Sequence, residues 1–177
     1  MSPIKVRVKN MIKRYQLFQK HIKLKHLLHL NDFLLLSPIL LIALFLRING
    51  MDWDQGFLFH PDERALLMHT HDMYFPNFGN VFLLLDPNKS PMNPNWFPYG
   101  SLPIYLLKIA GEILTLGSDP SIITLSRIGR SLSVSADIGT IIFSFLIARN
   151  WHNRTTGFLT AIFISTCVLH IQLSHFF

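Results

Sequence analysis

Four apolar stretches punctuate the chain, at residues 31–48, 101–116, 127–149 and 155–175. A helical span needs about 20 apolar residues, so the first is only just long enough to cross a bilayer. Pro38 sits inside it, which a spanning helix tolerates when neighbouring groups satisfy the freed carbonyl. Arg47 falls at its far end, where a long side chain can snorkel to the interface. The second stretch is 16 residues long and carries Lys108 and Glu112, four apart and therefore on one helix face. It reads as an interfacial amphipathic helix. The third contains Asp137, and the fourth is the cleanest of charge. The pattern predicts an all-α integral membrane fold of about three transmembrane helices, over 31–48, 127–149 and 155–175. A large first loop over 49–126, carrying short interfacial helices, comes after the first span, and a short loop over 150–154 joins the other two.

Composition supports the same class. Half of the 177 residues are hydrophobic and 15% are charged, well below the roughly 25% of soluble domains. This much hydrophobicity argues against intrinsic disorder. A single cysteine, Cys167, excludes an intramolecular disulfide framework and a multi-cysteine zinc site.

Charge then orients the spans. Eight of the sixteen Lys and Arg residues lie within the first 25, and no acid precedes Asp32. A basic arm over 1–30 that runs straight into an apolar stretch reads as a cytoplasmic flank under the positive-inside rule, rather than as a nucleic-acid-binding segment. It is also too long for the basic region of a signal peptide. Arg149 and Arg154 lie at the short loop after the third stretch. They share the side of the N-terminus only if 101–116 stays out of the membrane core. The chain is thus expected to be a multi-pass plasma-membrane protein with its 49–126 loop outside the cytoplasm.

That loop holds the chemistry. It contains His60-Pro61-Asp62-Glu63-Arg64 and, later, Asn95-Trp96-Phe97-Pro98-Tyr99-Gly100. Pro61 suits the first position of a helix, where its missing N–H is not needed. Asp62 and Glu63 then fall in the first turn, where the helix dipole favours negative charge, and Ala65, Leu66, Met68 and Met73 form a partly apolar side. Two carboxylates there can supply a general base or a metal ligand, or simply be an acidic first turn. Asp52 and Asp54 are rivals, or else only solvate the loop. A zinc site from His69, His71 and Asp72 needs a convergent third ligand, and two histidines two apart cannot share a helix face.

In these residues the chain resembles the N-terminal portion of the C-fold, lipid-carrier-dependent membrane glycosyltransferases: the protein O-mannosyltransferases, aminoarabinose transferases and bacterial "family 39" members. The resemblance covers about residues 30–177. It rests on an ordered series: a first span, His60-Pro61-Asp62-Glu63, Asn95 to Tyr105, Ser126-Arg127-Ile128-Gly129-Arg130-Ser131-Leu132-Ser133, Ala148-Arg149, and His170 to Phe177. Relatives run on through further spans, so these residues correspond to the first part of that fold.

The resemblance implies inverting transfer of a sugar from a polyprenyl-phosphate carrier, outside the cytoplasm, to a protein, lipid or polysaccharide hydroxyl. Asp62 would be the catalytic base, with Glu63 beside it. Arg127 and Arg130 would meet the carrier phosphate, together with His60 and Tyr99. No cofactor is implied with certainty; a divalent metal ion on Asp62 and Glu63 is compatible with the family. Asp137, two turns below Arg130 on nearly the same face, is expected to face protein or water. His170, Ser174 and His175 would lie near the mouth of the site. The alternative expectation is a non-catalytic helical subunit or truncated remnant that acts by helix packing alone.

Overall fold

The computed structural model describes residues 30–177, so the basic arm before Leu30 lies outside the described residues. Among those described there is no strand. The order is α1 (Leu30–Ile48), α2 (Pro61–His71), a 3-10 segment (Phe78–Leu85), α3 (Leu102–Leu114), α4 (Ile122–Trp151), α5 (Arg154–Ser165) and α6 (Val168–Leu173). Two helices are long and apolar enough to cross a membrane, Asn31–Ile48 and Ile122–Trp151; α5 and α6 make a third if the bent pair counts as one span.

The chain divides into two compact units between Ser37 and Pro38, inside α1. Proline at 38 cannot donate to the carbonyl four residues back, and the Ser37 hydroxyl donates to that Leu34 oxygen instead, at 3.0 Å. The helix therefore continues through the proline. At its far end Arg47 does not snorkel. Its side chain is fully buried and ion-paired with Asp137 of α4.

Two other boundaries depart from the hydropathy pattern. α4 begins at Ile122 rather than 127, because Ser121 caps it by accepting the Thr124 N–H at 3.2 Å. Thirty residues rise about 45 Å, against a hydrocarbon core of about 30 Å. Arg127 and Arg130 consequently sit one to two turns inside the helix rather than at its start. The fourth apolar stretch is not one helix over 155–175. It breaks after Ser165 and resumes at Val168 with a bend of 57°.

α3 is 13 residues long, about 20 Å, too short to span. It buries a charged side chain beside Ile104 and Leu107 and leaves an apolar outward face. Lys108 is buried and bonded to Glu112 at 2.9 Å, whereas Leu102, Leu106, Ile109 and Ile113 are exposed.

A core of Leu58, Leu66, Leu67, Met73, Ile104, Leu107 and Leu125 joins α2, α3 and the start of α4, with Trp96, Ile128 and Phe177 packed around it. Met68, expected on the apolar side of α2, points outward instead. Gly129 admits Phe177 so closely that a Cβ there would lie 2.6 Å from the ring. Further along, α5 packs on α4, and Gly157 lets the Phe145 carbonyl approach to 3.0 Å of where its Cβ would be.

Candidate functional site

The His60-Pro61-Asp62-Glu63 segment folds as local rules dictate. Pro61 opens α2, and His60 is its N-cap, with Nδ1 accepting the Glu63 N–H at 3.3 Å. That acceptor role leaves Nε2 to carry the proton of the neutral ring. Successive helical residues point about 100° apart, so Asp62 and Glu63 diverge. Glu63 turns into the protein and is fully buried, while Asp62 stays exposed.

Glu63 meets Arg130. The guanidinium Nε donates to Glu63 Oε1 at 2.8 Å and Nη2 to Oε2 at 2.9 Å. It also holds Asp54, through Nη1 to Oδ1 at 2.9 Å and Nη2 to Oδ2 at 2.7 Å, and the Met51 carbonyl through Nη1 at 2.7 Å. An arginine has five N–H donors, and all five are engaged. This corrects the expectation that Arg130 meets a phosphate, since no donor remains for one. Glu63 is corrected too. Both its oxygens face the guanidinium, which makes it an anchor and removes it from the expected catalytic pair.

Asp54 does more than solvate the loop. Besides gripping Arg130, it accepts the N–H groups of Gly56 at 3.2 Å and Leu58 at 3.1 Å. Arg130's hydrogen bonds hold its carboxyl below the ordinary value of 3.8, against the opposing push of burial, and the two backbone donors add to the effect. The turn it ties is strained. Gln55 and Leu58 both adopt left-handed backbone, at φ 50° and 52°, which a non-glycine residue does at a cost of about 1–3 kcal/mol. Arg130 and Asp54 thus fix the turn that delivers His60 to the start of α2.

The Asn95–Tyr99 stretch crosses α2 on an aromatic ladder. His69 stacks on Trp96 at 5.2 Å, and Trp96 meets the edge of Tyr99 at 5.7 Å. The Asp62 carboxylate lies close enough to the Tyr99 phenol to raise it above its ordinary value of 10.0. Two sequence segments more than 30 residues apart therefore meet at Asp62. The C-terminal stretch arrives on the other side, where Phe176 lies 4.5 Å from the His60 ring and 5.5 Å from Trp53. Ser174 is buried and bonds back to the Ile171 carbonyl at 2.7 Å.

Arg127 is exposed, with its Nε 3.4 Å from Asp52 Oδ1. Asp52 is the one polar partner of its side chain among the described residues. It borders a polar hollow of about 190 Å³ that Asp52, Gln55, Gly56 and Ile123 also line.

The residues do not fit a metal held jointly by Asp62 and Glu63. Their side chains diverge, and Arg130 takes both Glu63 oxygens. His69 stacks on Trp96, and His71 Nδ1 approaches only Asp72, at 3.9 Å. Among the described residues no three such side chains converge as a metal site.

The roles of Asp54, Met51 and Phe176 were not separable from those of their neighbours by sequence. The one signal for Asp54 was an acid placed two residues before a turn glycine. No family model, curated protein or solved structure matches this chain.

Proposed function

We propose that the chain is a membrane glycosyltransferase of the C-fold kind, or its N-terminal part, and that Asp62 is its general base. In this reading a sugar moves from a polyprenyl-phosphate carrier to an acceptor hydroxyl outside the cytoplasm. Asp62 takes the hydroxyl proton as the acceptor oxygen bonds to the anomeric carbon. The bond from that carbon to the phosphate oxygen breaks, and polyprenyl phosphate leaves.

The observation that carries the reading is the division of labour between adjacent carboxylates. Glu63 is locked inward on Arg130, while Asp62 stays exposed beside the Tyr99 phenol. A base must be within reach of its substrate, and Asp62 is the exposed one of the two acids. Arg127, beside the polar hollow, and Nε2 of His60 are the donors suited to the leaving phosphate. Membrane insertion is part of the proposal. The exposed Leu102, Leu106, Ile109 and Ile113 suit an interface helix whose charges have turned inward.

The test is transfer by the complete enzyme from a radiolabelled polyprenyl-phosphate sugar. Asp62→Asn should abolish it, by about 10³-fold or more, at unchanged membrane abundance. Wild-type rates in that variant overturn the assignment. The second reading, a helical subunit without catalysis, draws on the exposed Leu41, Ile42 and Phe45 of α1. It predicts no transfer and tolerance of change at Asp62.

A further inference from the structure

The break between α5 and α6 has no proline or glycine to explain it; the local sequence is Ile164-Ser165-Thr166-Cys167-Val168. Sharp kinks without those residues arise where a side chain enters the hydrogen-bond ladder. Arg47 does so from α1. Its Nη1 donates to the Ser165 carbonyl at 3.0 Å and to Ala43 of its own helix at 3.1 Å, and Nη2 approaches the Ile164 carbonyl at 3.4 Å. The Ser165 and Thr166 hydroxyls bond back to the Ile162 carbonyl at 2.8 and 2.9 Å, a pattern that itself bends helices. Carbonyls at a break in apolar surroundings need such partners.

The same guanidinium is anchored by Asp137 of α4, through Nε to Oδ2. The other oxygen of Asp137 accepts from Nδ1 of His170 on α6, at 2.6 Å. One half-buried carboxylate therefore ties the arginine that caps the break to the first turn of the helix beyond it. The residues just past α6 reach the site, with Phe176 on His60 and Trp53, and Phe177 in the space left by Gly129.

We propose that Arg47, Asp137 and His170 are positioning residues, which set the angle of the break and so hold Phe176 against the imidazole of His60, beside Asp62. The geometric claim stands on the contacts of these three side chains. Its consequence for sugar transfer rests on the glycosyltransferase reading.

The experiment uses the 177-residue chain in lipid nanodiscs with ¹³C-labelled histidine. The His60 resonance is assigned by its loss in His60→Gln, and its ring-current shift is calibrated with Phe176→Leu. Arg47→Met and Asp137→Asn are expected to remove that shift although neither residue touches His60. Arg47→Lys keeps the charge but not the planar fork, and it too should lose the shift. Removing one partner of a buried pair can unfold a protein, so the double variant Arg47→Met/Asp137→Leu, which leaves no unpaired charge, is measured alongside and should be folded but shifted. An unchanged His60 resonance in the folded variants overturns the proposal. In the complete enzyme, Arg47→Met should lower kcat about tenfold with little change in KM. If the wild-type enzyme transfers no sugar, the glycosyltransferase reading fails, and the His60 resonance still decides this one.

Discussion

Arg130 grips Glu63 through two parallel hydrogen bonds, Nε to Oε1 and Nη2 to Oε2, at 2.8 and 2.9 Å. Both side chains are buried, and they lie 67 residues apart in sequence. Fork-on-fork geometry of this kind fixes orientation as well as distance. It ties the N-terminal part of α4 to the first turn of α2 and leaves Asp62 alone on the exposed side. Arg130→Ala would strand the Glu63 and Asp54 carboxylates together in the interior. The expected loss is about 3–5 kcal/mol, measured by unfolding in detergent. Retained stability would mean the three groups do not share a network.

Asp54 makes stability depend on acid. Its folded carboxyl sits below the ordinary value of 3.8, chiefly through Arg130. A depressed value means that the folded state binds this proton less readily than the unfolded state does. The contribution is therefore complete above about pH 4 and is lost as pH falls through the lower, folded value. The unfolding midpoint of the wild type should drop across that range, and Asp54→Asn should start lower and show a flatter profile. Parallel profiles for the two proteins would contradict this.

Tyr99 reports on Asp62 without any assay of transfer. The carboxylate raises the phenol above 10.0. In an alkaline absorbance titration, Tyr99→Phe should remove a tyrosine step that lies above the ordinary value. Asp62→Asn should bring that step down toward the ordinary value. A titration insensitive to Asp62→Asn would show that the two groups do not meet in solution.

Gly129 is a packing requirement. A methyl there would lie 2.6 Å from Cγ and 2.8 Å from Cβ of Phe177, too near the backbone for the ring simply to swing away. Gly129→Ala should cost about 1–3 kcal/mol through overpacking. The penalty should shrink in a Phe177→Ala background, a coupling that a double-mutant cycle resolves. Additive effects would place Phe177 elsewhere.

Much of this arrangement was legible in the residues. Pro61 announced the start of α2 and the acids of its first turn, the spacing of Lys108 and Glu112 put them on one helix face, and length, charge and the positive-inside rule together argued against α3 as a span. The start of α4 was missed because hydropathy locates the apolar body of a helix, whereas its cap, Ser121, is a polar residue outside that body.

The rules that worked are local. Caps, periodicity and span length depend on neighbours within a turn or two, so the sequence by itself determined an all-helical chain, the site of α2 and the presence of apolar helices of spanning length. It left open the destinations of the charged side chains. Arg47 could have reached water at the end of α1, and Arg130 could have met a phosphate. Each instead finds a carboxylate 67 to 90 residues away. The choice belongs to the tertiary structure because a buried charge must be paired, and only the packing of α1, α2, α4 and α6 decides which partner is within reach. The fourth apolar stretch, which has no proline or glycine at its break, bends at the carbonyls that Arg47 meets from α1.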